Sequence, residues 1–381
     1  MAPRWDIFCA VVDHFGDIGV SWRLARQLAA EHGLAVRLWV DDLAGFRRLC
    51  PDLDPQRDAQ RLRGVEIRRW RTPLALEPDG VADVVIAAFG CRLPENYLDA
   101  MAARAPAPRW INLEYLSAED WVASHHGLPS PHPRRPLTQH FFFPGFTAGS
   151  GGLLRERELL PRRDLFQRDG SAQAAFWSAF GAQGAMAADM RISLFGYPQG
   201  GTAALMRTLI ESGRRIFCAV PESELLREIA PLFGRAGLQP GDNACRAGLT
   251  LGVLPFVPQE RYDELLWACD LNFVRGEDSF VRAQWAGRPL VWQIYPQRDG
   301  AHWAKLEAFL QRYCAPLPAP AAAAVSDLWQ AWNRDDGLDE AWRAWPAQRA
   351  ILEAHAVRWA DGLAQAGDLA GNLVAFCAAG P

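Results

Sequence analysis

Lysine is almost missing: a chain of 381 residues carries it once, at Lys305, against many arginines. We read that as genomic base composition, with no bearing on function. CxxC spacing is missing too. The eight cysteines (Cys9, Cys50, Cys91, Cys218, Cys245, Cys269, Cys314 and Cys377) are scattered, several of them in apolar strand-like runs such as 216–220. Buried free thiols in a reducing compartment are the expectation. His125, His126, His132 and His140 lie in a proline-rich loop with neither i,i+4 helical spacing nor a neighbouring cysteine pair, so no metal site is expected there. Long apolar runs are lacking. The run 7–12 is broken at once by Asp13, too short for a signal peptide or a membrane span, and the protein is expected to be soluble and cytoplasmic. Net charge is −4, and no block of like charge is long enough for a nucleic-acid arm or an anionic-membrane patch. There is no GxGxxG nicotinamide fingerprint, no DxD-type metal motif in a sheet context, and no internal repeat.

What remains is a globular composition, 50% apolar and 22% charged, of a length that suits two α/β domains. Sixteen tryptophans are many, and most are expected as core or hinge packing. The first third alternates strands at 7–12, 35–40, 81–88 and 110–113 with helices at 20–31 and 94–104, the first of them stopped at His32-Gly33. The run 81–88 is apolar throughout, as in a strand buried on both faces of a parallel sheet. This βαβ order predicts a doubly wound sheet. Residues 128–152 are rich in proline and glycine and read as a linker. The alternation restarts with strands at 190–195, 215–220, 249–254, 271–273 and 289–292, and helices at 200–212, 222–233, 279–286 and 301–314. A low-complexity stretch, 315–324, precedes a helical tail over 329–377. The layout is that of GT-B glycosyltransferases: two Rossmann-like domains facing across a cleft, with a C-terminal helical tail. The expected parts are 1–152, 153–350, and helices over 351–381 packing back on the first domain.

Four segments carry residue types suited to chemistry. Asp13-His-Phe-Gly-Asp-Ile-Gly19 sits where strand one turns into helix one, the place where open α/β sheets bind ligands. Gly16 and Gly19 permit close backbone approach, and the helix N-terminus favours an anion. Two readings of its carboxylates stand at this point. Asp17 caps the helix and Asp13 ties down the loop, or the pair acts on a substrate. Arg275-Gly-Glu-Asp-Ser-Phe-Val-Arg-Ala-Gln-Trp285 follows another strand, with Ser279 as a natural helix cap and backbone N–H groups that can hold a phosphate. Glu277 and Asp278 would repel a phosphate and suit sugar hydroxyls beside it, or else they are simply an acidic helix start. Ser193-Leu-Phe-Gly-Tyr-Pro198 and Leu254-Pro-Phe-Val-Pro-Gln-Glu260 put aromatics and a glutamine amide at strand ends, where they can sandwich and read a planar base, or pack the core.

Taken together, Asp13–Gly19 with the following Val20-Ser-Trp-Arg-Leu-Ala-Arg26, Ile111-Asn-Leu-Glu-Tyr-Leu-Ser-Ala-Glu119, Phe141-Phe-Phe-Pro-Gly-Phe146 and the Arg275 segment resemble the EarP family, the protein-arginine rhamnosyltransferases of translation elongation factor P. The resemblance runs from the N-terminus to about Gln297. His14 departs from it, standing where the family pattern has Asn. The resemblance implies an inverting, metal-independent transfer of rhamnose from dTDP-β-L-rhamnose to an arginine side chain of elongation factor P, activating that factor for ribosomes stalled at polyproline. No cofactor, nucleic acid or membrane is implied. It further implies Asp17 as general base and Asp13 as the second essential carboxylate. The donor set it implies is Phe15, Gly16, Phe195, Tyr197, Phe256, Gln259, Glu277, Asp278 and Ser279. The competing expectations are a GT-B nucleotide-sugar transferase with another acceptor, and a non-catalytic protein that binds the elongation factor.

Overall fold

The computed structural model describes residues 3–13, 15–76, 80–198, 201–297 and 300–379. The chain forms two compact units, residues 1–157 with 363–381, and residues 158–362.

The first unit is built on an eight-stranded sheet. Its elements are β1 (Arg4–Cys9), α1 (Gly16–His32), β2 (Ala35–Val40), α2 (Leu43–Leu49), β3 (Ala59–Leu62), β4 (Val65–Arg69), β5 (Val84–Ala88), α3 (Glu95–Ala103), β6 (Arg109–Leu113), α4 (Val122–His125), β7 (Pro129–Pro131) and β8 (Thr138–Phe142). The strand order is β3-β4-β2-β1-β5-β6-β8-β7, parallel except for the outermost strands β3 and β7. Every residue of β5 is buried, which is why that strand is apolar without alternation. A buried ion pair lies within this sheet. Asp6 on β1 is buried and takes two hydrogen bonds, of 2.7 and 2.6 Å, from the Arg37 guanidinium, its register partner on β2. The pair satisfies a carboxylate that could not stand there alone.

The second unit opens with α5 (Leu159–Arg168) and α6 (Gly170–Ala179) and then alternates. Its further elements are β9 (Met190–Leu194), α7 (Gly201–Glu211), β10 (Ile216–Pro221), α8 (Leu225–Ile229), β11 (Asn243–Arg246), β12 (Leu249–Leu254), α9 (Gln259–Ala268), β13 (Leu271–Arg275), α10 (Asp278–Trp285) and β14 (Leu290–Gln293). The helices α11 (Ala301–Cys314), α12 (Ala319–Arg334) and α13 (Leu338–Ala364) follow, and α14 (Leu369–Ala378) completes the first unit. The second sheet runs β11-β12-β10-β9-β13-β14, parallel apart from β11. Its helical side is an aromatic core in which Phe280 stacks on Trp292 at 4.0 Å and Phe309 on Trp329 at 5.4 Å. Among the described residues no helix is long and apolar enough to cross a membrane.

Both sheets have a switch point, the place where consecutive crossovers leave in opposite directions. It lies between β1 and β5 in the first sheet, and between β9 and β13 in the second. Loops at the carboxyl ends of those strands form the natural ligand crevice.

Several expectations need correction. Residues 128–152 are not a linker. They contain β7 and β8, which extend the first sheet; the prolines that fall in strands, Pro129 and Pro131, lie in the outermost strand β7, and Pro133, Pro136 and Pro144 lie in the connecting loops. The stretch 315–324 is helical from Ala319, because small alanines let α12 pack closely and its proline sits at the permissive helix start. Helix α1 begins at Gly16, ahead of the expected residue 20, and ends at Gly33, whose φ of 65° is the left-handed cap glycine tolerates. The segment 222–233 is a short α8 followed by a 3₁₀ turn. The expected start of α7 at Gly200 lies outside the described residues. The unit boundaries fall later than the expected 152 and 350. Arg155 and Glu156 are held by the first unit, through Gln27 at 2.8 Å and Arg23 at 2.7 Å. Helix α13 is continuous past 350, with Arg349 paired to Asp270 at 3.0 Å and Trp359 donating to Gln284 at 2.6 Å.

Candidate active site

The first cluster stands on the turn between β1 and α1. Asp17 lies in the first turn of α1, only 2% exposed, and its Oδ2 accepts the backbone N–H groups of Val12 and Asp13, each at 2.9 Å. It is therefore not a helix cap. The cap position is Phe15, with no side-chain cap bond, and Asp17 reaches back over the turn. Gly16 makes this geometry possible: a Cβ there would come within 2.7 Å of the Asp13 carboxylate. Burial pushes the Asp17 carboxyl above its ordinary value, and the nearby Asp13 charge adds to the rise. The two backbone N–H donors and the Tyr115 hydroxyl pull the other way. A carboxylate so balanced is suited to accept a proton late in a reaction. Phe15 is half-buried beneath the Arg48 guanidinium, 5.4 Å from its ring. His14 lies outside the described residues.

The second cluster stands at the β9 and β13 strand ends. Phe195 and Tyr197 both face the Arg275 guanidinium, which lies 4.5 Å from each ring centroid. Tyr197 is held from behind, its backbone N–H donating to Gln293 at 2.7 Å, and meets the half-exposed Tyr295 edge-on at 5.5 Å. Beyond Arg275, Asp278 is buried. Its Oδ2 accepts from Arg282 at 2.9 Å and from the Gln259 amide at 3.0 Å, and Arg282 also donates to Asp263 at 2.8 Å. Phe256 is half-buried on the loop between β12 and α9.

This corrects two sequence-based expectations. Ser279 does not cap α10: the cap position is Glu277, and the Ser279 hydroxyl donates to the Arg275 carbonyl and accepts the Arg275 N–H at 3.1 Å. These bonds tie it to the turn that carries Arg275. Asp278, expected beside sugar hydroxyls, has its Oδ2 already engaged by Arg282 and the Gln259 amide. The residues Phe195, Tyr197, Gln259, Glu277, Asp278 and Ser279 all belong to the second unit with Phe256, while Asp13, Phe15, Gly16 and Asp17 belong to the first. Among the described residues, no three His, Cys, Asp or Glu side chains are grouped so as to hold a metal ion.

A family model described as "Elongation-Factor P (EF-P) rhamnosyltransferase EarP" matches residues 5–378. The chain belongs to the EarP family. That match extends the resemblance beyond Gln297 through the helical tail. The protein-arginine rhamnosyltransferase of Pseudomonas putida is 50% identical over 376 residues, covering 99% of both chains. Its Pseudomonas aeruginosa counterpart is 51% identical over 374 residues, covering 98% of both. A solved structure described as "Structural basis for EarP-mediated arginine glycosylation of translation elongation factor EF-P" is 38% identical, with a TM-score of 0.69 and full coverage of both chains. Acinetobacter baumannii MurG, 13% identical with a TM-score of 0.50, shares the fold. The architecture is GT-B, and as an EarP-family member this chain is an enzyme of the protein-arginine rhamnosyltransferase class.

Sequence reasoning passed over three residues that the structure brings into these two clusters. Arg275 opened a segment that was singled out, yet the acidic residues behind it drew the attention. Its place between two aromatic rings depends on β9 and β13 being neighbours. Tyr115 stood in a quoted segment with no role. Arg282 is four residues from Asp278, a readable helical spacing, but its second partner Asp263 comes from α9.

Proposed function

We propose that this chain transfers rhamnose from dTDP-β-L-rhamnose to one arginine side chain of translation elongation factor P, with inversion at the anomeric carbon and without a divalent metal. In this reading the first unit takes the acceptor and the second holds the nucleotide sugar. The acceptor follows from the family description and from the solved relative, whose description names arginine glycosylation of that factor. The reaction then belongs to the cytoplasm, where a translation factor works.

The observation that carries the reading is the pair of carboxylates on one turn at a sheet's switch point, one of them buried with its pKa raised. An arginine guanidinium stays protonated across the whole working pH range and has no available lone pair. No carboxylate removes its proton beforehand. Asp13 and Asp17 can instead hold the fork by N–H···O bonds, and Asp17 can take the proton as the C–N bond forms. Attack from that side, opposite the departing diphosphate, inverts the centre, as in inverting glycosidases. On the donor side, Phe195, Tyr197 and Phe256 supply faces for the thymine ring, with Gln259 beside them. Glu277 and Asp278 suit sugar hydroxyls, and Arg275 with the N-terminus of α10 suits the diphosphate. The family resemblance also implies Phe15 and Gly16, on the turn of the first unit, for the donor.

The test is intact-mass analysis of elongation factor P after incubation with this protein and dTDP-rhamnose. One added deoxyhexosyl group, mapped to an arginine, is expected. Donor consumed without a mass change on the factor would point to another acceptor, and a donor left intact would point to a non-catalytic binding protein. A narrower measurement checks the nucleotide site. Phe256→Ala should weaken dTDP binding by about 1–3 kcal/mol, the usual contribution of one stacked base. Calorimetry finding wild-type affinity would move the thymine elsewhere.

A further inference from the structure

We propose that Tyr115 is the positioning residue of the acceptor-side carboxylate: its ring, shelved on Phe89, holds its hydroxyl against Asp17 and keeps that carboxylate in one orientation as the arginine arrives. The inference rests on Asp17 being the general base.

The support for Tyr115 is built into the sheet. Phe89 follows β5 and Tyr115 follows β6, neighbouring strands, so both leave the sheet at the same edge as the Asp13–Asp17 turn. Their rings stack at 4.7 Å with 26° between planes. Phe89 takes a φ of 57°, a conformation that bulky residues rarely adopt, and its N–H donates to the Leu113 carbonyl at 2.6 Å. A strained residue of this kind persists where its surroundings over-determine it, commonly at sites of function. Here it places an aromatic shelf under Tyr115.

Asp17 needs such a hold. Its Oδ2 is tied to the turn by two N–H groups, and the Tyr115 hydroxyl also donates to the carboxylate, as the pull on its pKa reflects. The described titratable groups that face Asp17 are Asp13 on the same turn, Cys9 at the end of β1, Cys91 after β5 and Tyr115. Burial pushes Cys91 up to about 12 and Cys9 well above its ordinary value, so both thiols are neutral at working pH. Asp13 raises the Asp17 pKa and Tyr115 lowers it. Losing the hydroxyl therefore raises it further, and the base is protonated, hence inactive, up to a higher pH.

The experiment is the pH profile of kcat/KM between about pH 5 and 9 for the wild type and Tyr115→Phe, with Asp17→Asn alongside. Phenylalanine keeps the stacked ring and removes only the oxygen. The acid limb should move to higher pH, so that kcat/KM falls more on the limb than on the plateau. A limb that stays in place overturns the inference, whether or not the plateau drops, since a merely structural role would lower the plateau alone. If Asp17→Asn is inactive and the Tyr115→Phe limb is unmoved, only Tyr115 loses its role. If Asp17→Asn turns over like the wild type, the base assignment fails and this inference with it.

Discussion

Asp17→Asn should abolish rhamnosyl transfer, lowering kcat by about 10²–10⁴-fold, which is the usual cost of losing a general base, while donor affinity stays within a few-fold. The substitution is a clean one for a structural reason. Asp17 has two duties: Oδ2 anchors the β1–α1 turn through the Val12 and Asp13 N–H groups, and the carboxylate as a whole carries the negative charge. Asparagine keeps an oxygen that can accept both N–H bonds, so the turn should survive. It loses the charge that pairs with a guanidinium and the basicity that takes its proton. Donor binding should barely change, because the residues assigned to the nucleotide lie chiefly in the second unit. The checks are single-turnover transfer to elongation factor P, dTDP titration, and thermal unfolding to confirm that the turn holds. Turnover near the wild-type rate would reduce Asp17 to a structural role, the alternative that residue spacing alone left open in the form of a helix cap.

That alternative was open because spacing reports which residues are near a turn and not where their side chains point. The strands 35–40 and 249–254 and the helix 301–314 are legible residue for residue, since each is apolar with a clear period and each is bounded by turn or breaker residues. The hairpin β3–β4 went unread. Its strands are short, and of their residues only Val65 and Ile67 are buried, while its turn at Arg63-Gly64 shows itself in two positive φ angles. Strand β8 was hidden by the prolines around it, and its partner β6 lies far back in sequence. The site follows the same division. Residue types at strand ends could be read, because doubly wound sheets put ligands there. Partnerships could not. Gln259 and Asp278 were expected to face a ligand separately, yet they bond each other at 3.0 Å with Arg282 beneath them. A guanidinium shared by two carboxylates from different helices has no signature along one chain.

Arg275→Ala should lower kcat by about 10²–10³-fold, and added Mg²⁺ or Mn²⁺ should not restore it. The leaving group is a diphosphate, and positive charge or N–H dipoles must meet it as the sugar departs. The α10 N-terminus alone is a poor host, because Glu277 and Asp278 crowd it with negative charge. Arg282 already offsets Asp278 from the buried side, at 2.9 Å. Arg275 stands on the open side, its guanidinium 4.5 Å from the Phe195 and Tyr197 rings. Weak hydration and a planar fork let a guanidinium lie on aromatic rings and still bind phosphate oxygens, which an ammonium does less well. Arg275→Lys should therefore recover only part of the loss. The same arrangement predicts that excess EDTA leaves the wild-type rate unchanged. Oxygen-coordinated Mg²⁺ would need carboxylates to spare, and the Asp278 carboxylate is already engaged by Arg282 and Gln259. A wild-type rate that collapsed in EDTA and returned with Mg²⁺ or Mn²⁺, or an Arg275→Ala enzyme rescued by either ion, would overturn this assignment. Glu277 and Asp278 would then have to be released toward the diphosphate as metal ligands, with Arg282 left to pair with Asp263 alone.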